Sequence, residues 1–409
     1  VNQNLMMDVP ILAVFLGTLF FVLKAKQNPR YYIYASMLIA TGLLIKYSVL
    51  PLLIVLAIVI LVNRDFKSLF VLLIPIGVLA FWSLWNYYEF DAIHILNRRI
   101  RKFDNRIIWV YLGAIGALSS FVFSFAYGTI RLKIIKNVIY FSLILFTISV
   151  VLFYSGFIHE LQYTKHLINL FEINGFLIYL FLIILIIKLF YTERIAFMTT
   201  DKFVILLFLA SITLFIILYA PFIATRHLLL VIPFILLFGS DLIDKTSVDI
   251  NRVSLITTII LGVILGISDW KYADYYRKMA VSIELPKDTK VWFLGHWGWQ
   301  WYAKKNGMEQ YFTTTSKVRD GDYIVFPIYI DKQKVKPTFD LIVRKKIWEE
   351  ADIFTLFSDN NDAGFYSSNL NNPPWRLSKE PIDTIYICEV ERGVETIIQI
   401  GRASCRERV

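Results

Sequence analysis

The chain has 409 residues, of which 57% are hydrophobic and only 18% are charged, and its mean hydropathy is +0.59. This composition is too apolar for a soluble globular protein of its length and indicates a membrane protein. The net charge of +10 then fits cytoplasmic loops and lipid headgroups better than nucleic acid, and the two cysteines, Cys388 and Cys405, form neither a disulfide framework nor a zinc-site spacing.

Both ends of the chain look atypical. The chain opens at Val1 without a methionine or a signal peptide, and an apolar run begins almost at once, at Pro10. The final residues, GRASCRERV at 401–409, match nothing before them in character. The sequence therefore predicts a fragment that has lost an N-terminal part, followed by an artefactual tail outside the fold.

Residues 1–269 carry a series of apolar runs. A spanning helix needs ~20 mostly apolar residues, and about ten stretches are candidates, some of them short. They lie near 9–24, 31–46, 49–63, 67–88, 107–127, 137–156, 169–191, 202–222, 226–243 and 251–269. The expected fold is a polytopic α-helical membrane protein of about ten transmembrane helices with a C-terminal α/β extracytoplasmic domain.

The lysines and arginines of short loops predict the orientation. If the C-terminal domain is outside, most basic loops face the cytoplasm, and Lys46, Lys165 and Arg226 face out. One outer loop, HILNRRIRKFDNR at 94–106, breaks this rule with a dense basic cluster. Either one helix is miscounted, or this loop meets a phosphate.

From 270 to 400 the hydropathy falls, and short strand-like and helix-like runs alternate. KVWFLG at 290–295 and GDYIVFPIYI at 321–330 predict strands, WQWYAKKNG at 299–307 predicts a short helix stopped by its glycine, and DTIYICEV at 383–390 predicts a late strand. Strand, helix and strand in succession favour a βαβ-like layer with a parallel pair.

Several ionisable residues fall on the predicted outer face, where charges near membrane depth indicate function by default. They are Asp8 before the first helix, Lys46 at the end of the second, His94, Arg98 and Arg99 in a later loop, and Arg226 at the ninth, with His227 as a packed neighbour. Structural alternatives stay open: Asp8 could act only as an N-cap, and Lys46 could snorkel to the headgroups. Arg226 could pair with Glu160 or Glu172.

One carboxylate and several cations on one face suit a polyprenyl-phosphate sugar, whose phosphate lies at headgroup depth with the sugar just above. Arginine offers a planar fork for phosphate and lysine offers a point charge, and both would stabilise the phosphate as it leaves. An acceptor hydroxyl would need a carboxylate as general base.

Several stretches carry a family resemblance. LMMDVPILAVFLGTLFFVLKA has an aspartate-led helix start at Asp8, and YIYASMLIATGLLIKYSVLPLLIVLAIVIL has a glycine-hydrophobic-lysine helix end at Lys46. APFIATRHLLLVIP has an arginine-led helix start at Arg226, and VWFLGHWGWQWYAKKNG and GFYSSNLNNPPWRLSKEPID belong to the C-terminal part. Together they resemble glycosyltransferase family 39 of the GT-C superfamily, which includes dolichyl-phosphate-mannose protein mannosyltransferases and bacterial aminoarabinose lipid A transferases.

The resemblance implies an inverting transferase on the outer face of the cytoplasmic membrane, moving a hexose or pentose from a polyprenyl-phosphate donor to an acceptor lipid or protein. It places the catalytic base in an outer loop upstream of Asp8, which this chain does not contain, so the chain as given is expected to be inactive. Asp8 matches the family's second acidic position, close to a binding or metal-assisting role. The residues expected to hold the donor phosphate are Lys46, His94, Arg98, Arg99 and Arg226. No cofactor is implied with certainty; a divalent metal suits the chemistry, but no ligand set is visible.

The stretch GHWGWQWY at 295–302 gathers aromatic rings in the C-terminal domain. Because tryptophan faces stack on sugar C–H groups, His296, Trp297 and Trp299 are candidates for sugar contact. The alternative, favoured by their helical spacing, is that these rings form the core of a small domain.

Two other classes of function stay open. A transporter or flippase for a lipid-linked saccharide would line a path with charges, but the charges lie at one face and the sequence shows no paired broken helices. A structural or sensor protein would use the helices only as an anchor, for which about ten spans are excessive.

Overall fold

The fold is given by a computed structural model, which describes residues 7–97, 104–129, 133–284, 289–335, 340–364, 366, 370 and 372–391. Within these residues the chain forms two compact units. A helical unit ends at Ile260 and also contains the described part of 365–374, whereas a sheet-containing unit begins at Leu261.

Most of the chain is helical. The helices are α1 (Asp8–Ala25), α2 (Tyr31–Ile45), α3 (Pro51–Val62), α4 (Leu73–Phe90), α5 (Arg106–Leu118), α6 (Val122–Thr129), α7 (Lys133–Tyr154), α8 (Glu160–Glu193), α9 (Asp201–Leu218), α10 (Ile232–Phe238), α11 (Ser240–Asp244), α12 (Val248–Ser282) and α13 (Trp297–Lys305). Short 3-10 helices at Tyr47–Val49, Phe66–Leu72, Arg194–Thr199 and Thr225–Leu230 join several of them.

Five segments of the described chain are long and apolar enough to cross a membrane. They are Asp8–Ala25, Phe66–Phe90, Glu160–Thr199, Asp201–Leu218 and Val248–Ser282. A sixth is added if α5 and α6, which bend by 98° at their junction, count as one broken span. The structure thus supports a mostly helical, membrane-associated protein, with fewer such segments than the about ten that the sequence predicts.

The difference comes from how the shorter apolar runs fold. The runs predicted at 31–46, 49–63 and 226–243 form helices shorter than 18 residues, and the run predicted at 137–156 contributes only the apolar segment Ile144–Tyr154. A proline opens α3, and the 3-10 helix Thr225–Leu230 precedes a short α10. Hydropathy counts apolar residues but does not register such breaks.

The last long helix, α12, continues beyond the predicted end of the membrane part at 269. Hydropathy falls there because polar residues such as Asp269 appear, yet Tyr275 and Met279 keep a buried face at helical spacing. The division between the two compact units falls inside this helix, at Leu261, and the predicted end of the membrane part at 269 stays a prediction.

Contacts between α1 and α9 show that these two helices are antiparallel. Lys26, just after α1, forms an ion pair of 2.6 Å with Asp201 at the start of α9. Further along α9, the Phe208 ring lies 6.5 Å from that of Phe15, which comes earlier in α1. The end of α9 therefore lies at the end of the helical unit where α1 starts.

A second ion pair sets the direction of the segment that follows α9. Lys202, at the start of α9, lies 3.0 Å from Asp241, just after α10. Because α10 ends beside the start of α9, the 3-10 helix Thr225–Leu230 that precedes α10 begins at the opposite end. That is again the end where α1 starts.

Helices α5 and α8 cross with their backbones in direct contact. A β-carbon on Gly116 of α5 would lie 1.9 Å from the Phe171 carbonyl oxygen, and one on Gly175 of α8 would lie 1.9 Å from that of Leu112. Asn174 Nδ2 donates to the Gly116 carbonyl at 2.6 Å across this crossing. Small residues allow such close approach between membrane helices.

The described part of the sheet-containing unit forms a five-stranded sheet in the order β2-β1-β3-β5-β4. Strand β1 (Val291–Phe293) is parallel to β2 (Glu309–Gln310) and to β3 (Tyr323–Pro327), which confirms the predicted parallel strand-helix-strand layer. Strand β5 (Ile385–Glu391) is antiparallel to β3 and to β4 (Asp340–Ile347). The sequence did not predict β4, because charged residues obscure its alternation.

Candidate functional site

Asp8 and Lys46 form a direct ion pair. Asp8 lies buried in the first turn of α1, and Lys46 Nζ donates a hydrogen bond to its Oδ1 atom. Lys46 leaves α2 in an extended conformation, with φ −160° and ψ 134°, where its side chain can reach back to α1. The N-cap of α1 is Met7, so the N-cap alternative for Asp8 is wrong. Lys46 is paired to a buried carboxylate and not simply extended toward headgroups.

Arg226 lies at the same end of the helical unit, in the 3-10 helix before α10. Its guanidinium carbon is 5.8 Å from the centre of the Phe222 ring, and its Nε atom is buried without a hydrogen-bond partner. No carboxylate of the described residues pairs with it, so the proposed pairing with Glu160 or Glu172 is wrong. The guanidinium of Arg226 thus makes a cation–π contact with Phe222, and its Nε–H can still donate a hydrogen bond to an anion.

The two histidines predicted near this end have structural contacts. His227 Nδ1 accepts a hydrogen bond from the Ala224 backbone N–H at 3.3 Å, and its ring lies 5.6 Å from that of Phe222. His227 is thus a neighbour that caps the turn. His94 is exposed, with its ring 5.7 Å from that of Tyr47, the residue after Lys46.

The structure brings part of the predicted site together. Asp8 and Lys46 are in contact, and Arg226 lies at the same end of the unit. Arg98 and Arg99 lie outside the described residues. A cavity in the described part of the helical unit is lined by other residues, and neither Asp8, Lys46 nor Arg226 belongs to its lining.

That cavity has a volume of about 380 Å³ and lies within the helical unit, between α5, α8 and the segment that includes Leu370. Its polar lining includes Arg106, Lys165 and Glu172. Sequence reasoning counted Lys165 only as a loop cation and did not find the cavity. The available indication was that Lys165 and Glu172 are two turns apart on one face of a helix.

Hydrogen bonds show toward which end of the helical unit this cavity lies. Tyr111, near the middle of α5, has its hydroxyl 2.9 Å from that of Thr213, late in α9. Further along the chain, the Ser124 carbonyl of α6 accepts from Thr246, which follows α11 beside the start of α9. The chain of α5 and α6 therefore runs from the end where α1 starts toward the opposite end, and the cavity, lined by the first half of α5, lies toward the end where α1 starts.

In the sheet-containing unit, Trp299 belongs to the core. It is fully buried, and its Nε1 donates to the Leu294 carbonyl at 2.8 Å. A β-carbon at Gly295, which has φ +114°, would lie 2.9 Å from its Cδ1 atom. The expectation of sugar contact is therefore wrong for Trp299, since no face of its ring is free. Trp297 is 72% exposed, and His296 precedes it, half-buried, as the N-cap of α13.

The same unit contains a pair of carboxylates, the buried Asp383 and the half-buried Asp359, that the sequence did not predict. The Tyr276 hydroxyl lies 2.5 Å from Oδ2 of Asp359 and 3.0 Å from Oδ2 of Asp383. Asp383 Oδ1 also accepts from the Tyr329 backbone N–H at 3.2 Å. Burial, and then the neighbouring negative charge of Asp359, raise the pKa of Asp383 to about 7.

Within the described part of the chain, no group of three or more His, Cys, Asp or Glu side chains is placed to hold a metal ion. Comparisons with known protein families, with characterised proteins and with solved structures find no match for this chain. What the structure shows is the architecture of the described residues, which is mostly helical, with five or six apolar segments long enough to cross a membrane, and has a small C-terminal sheet.

Proposed function

We propose that this protein is an integral-membrane glycosyltransferase that takes its sugar from a polyprenyl-phosphate donor on the outer face of the cytoplasmic membrane. The observation that carries the proposal is Arg226, which has no carboxylate partner among the described residues yet lies at the same end as the Asp8–Lys46 pair. A guanidinium close to the hydrocarbon region costs free energy unless it pairs with an anion, and the planar guanidinium matches the geometry of a phosphate. The shorter apolar helices would complete a bundle of about ten crossings.

The residues have separate roles in this proposal. Arg226 holds the donor phosphate, and Lys46 turns from Asp8 toward the phosphate as negative charge develops on it. The acceptor hydroxyl oxygen forms a bond to the anomeric carbon, the bond from that carbon to the phosphate oxygen breaks, and polyprenyl phosphate leaves with the electron pair. The hydroxyl proton passes to a carboxylate base, for which the resemblance indicates a loop upstream of Asp8.

The first test measures donor binding and does not depend on the base. Polyprenyl phosphate without a sugar is titrated into the protein in nanodiscs. Arg226→Ala should weaken binding by at least about tenfold, because a charge-assisted hydrogen bond is lost. Arg30→Ala is the matched control, since this exposed arginine precedes α2 at the opposite end of the unit. Equal binding by wild type and Arg226→Ala would refute the proposed role.

The second test measures transfer. In the protein with any upstream segment present, Arg226→Ala should abolish turnover of polyprenyl-phosphate sugars while expression and unfolding temperature stay unchanged. Unchanged turnover would exclude Arg226 from the donor site.

A second candidate function is a transporter or flippase for a lipid-linked saccharide. The observation that favours it is the bend of 98° between α5 and α6, since discontinuous helices line substrate sites in many transporters. Proteoliposomes containing a labelled polyprenyl-phosphate sugar distinguish the two functions. Movement of the label across the bilayer without transfer to an acceptor supports the transporter.

A further inference from the structure

Lys165 and Glu172 line the cavity between α5 and α8 from the same face of α8. Seven residues of helix place their backbone positions two turns apart, ~10 Å along the axis. Neither forms an ion pair with any residue that the structure describes. With respect to the described residues, the cavity therefore has an unpaired cation and an unpaired anion two turns apart.

The surroundings give each charge access to the cavity. Gly113 leaves room for the glutamate, since a β-carbon there would lie 3.3 Å from Glu172 Cγ. Arg106, also in the lining, is held by Asp104 through Nε at 2.9 Å, so its charge is largely balanced and Lys165 remains the open cation.

Apolar side chains complete the cavity wall. Trp109, Ile168 and Leu370 lie in the lining beside the charged groups. A ligand that fits carries an anion and a cation close together on an apolar body. A free phosphate satisfies only the lysine, and an anionic lipid leaves the glutamate unpaired.

We propose that this cavity binds the headgroup of a phosphatidylethanolamine. The phosphate accepts from Lys165, the primary ammonium donates to Glu172, and the glycerol and upper acyl chains lie against Ile168 and Leu370. Lys165 and Glu172 project from one face of α8, ~10 Å apart along the helix axis, so a ligand that carries a phosphate and an ammonium can make a charge-assisted hydrogen bond to each side chain. The N–H donors matter, because a quaternary ammonium keeps the charge but cannot donate to the carboxylate.

The test compares three lipids labelled on the acyl chain, phosphatidylethanolamine, phosphatidylcholine and phosphatidylglycerol, titrated into the full chain in detergent. The wild type should bind phosphatidylethanolamine at least about tenfold more tightly than the other two. Glu172→Gln should remove this preference, and Lys165→Gln should weaken binding of all three lipids. Glu193→Gln and Lys188→Gln, both exposed at the far end of α8, should behave as wild type.

Competition separates the headgroup from other sources of phosphate. Glycerophosphoethanolamine, which has the headgroup without acyl chains, should displace the labelled lipid, whereas inorganic phosphate at equal concentration should not. The proposal is wrong if inorganic phosphate competes equally well, if the wild type does not discriminate among the three lipids, or if Glu172→Gln keeps the preference. If Glu172→Gln unfolds at a lower temperature than the wild type, its lipid binding is set aside. The proposal is then tested by whether the wild type binds phosphatidylethanolamine more tightly than phosphatidylcholine.

Discussion

The crossing of α5 and α8 allows a sharp test, because its geometry leaves no room for a methyl group. In Gly116→Ala or Gly175→Ala, the new β-carbon would lie 1.9 Å from a backbone oxygen of the other helix, where ordinary contact needs at least 3.4 Å. The two helices would have to separate by about 1.5 Å, and overpacking of this kind costs about 1–3 kcal/mol. The Asn174 hydrogen bond across the crossing would weaken by about 1 kcal/mol more.

Each variant should therefore lose about 2–4 kcal/mol of unfolding free energy. The assay is unfolding in mixed micelles with increasing dodecyl sulfate, followed by circular dichroism. The controls are Gly77→Ala in α4 and Gly266→Ala in α12, where an added β-carbon meets no atom within 4 Å. These controls should be neutral or stabilising by up to about 1 kcal/mol, because alanine favours helix. If Gly116→Ala or Gly175→Ala is as stable as its control, the crossing is not as close as described.

Three further predictions concern other parts of the chain. The pKa of Asp383 is about 7 in the folded state and ~4 in the unfolded chain, so the stabilisation that its bound proton gives is fully present below pH ~4 and is lost as pH rises to ~7. Hydrogen exchange of the sheet should show a loss of about 4 kcal/mol over that range, and Asp383→Asn should remove the dependence; a flat wild-type profile would contradict this. A double-mutant cycle of Asp8→Asn and Lys46→Met should give a coupling of about 1–3 kcal/mol in unfolding free energy, and additive effects would refute a significant pair. Trp299→Phe should destabilise by about 2 kcal/mol in thermal unfolding while the exposed Trp297→Phe stays within about 0.5 kcal/mol, and equal effects would show that Trp299 is not the core residue described.

The sequence predicts best what depends on local pattern. The strands at β1, β3 and β5 and the helix α13 follow from short β-branched and aromatic runs between glycines, as expected. Asp8 and Lys46 could be placed on one face because the helices that carry them are consecutive. In contrast, Asp359 and Asp383 are brought together around the hydroxyl of Tyr276 in α12, which lies more than 80 residues earlier in the chain. A local pattern cannot predict such a long-range contact.

The candidate site shows the same limit. The cavity between α5 and α8 depends on the crossing at Gly116 and Gly175, and a single sequence does not indicate which helices cross there. The sequence near Arg226 likewise could not show that no carboxylate of the described residues pairs with it, because Glu160 and Glu172 lie far earlier in the chain, in α8. Long-range packing, not local propensity, decides both features.

Helix α1 is tied by charge at both of its ends, and this has a consequence for how the protein is assembled. Lys46 reaches Asp8 as soon as the second helix follows the first, but the partner of Lys26 is Asp201, 175 residues further along the chain. Apolar contacts such as that of Phe15 with Phe208 also hold α1, and the ion pairs at its two ends add a directional constraint on how far α1 is displaced along its neighbours. Helix α1 should thus stay only half anchored until α9 has been synthesised. An arrest of translation just before Asp201 would then leave α1 free to shift along its axis, and a cross-link between α1 and α2 should be heterogeneous at that stage and uniform in the finished protein.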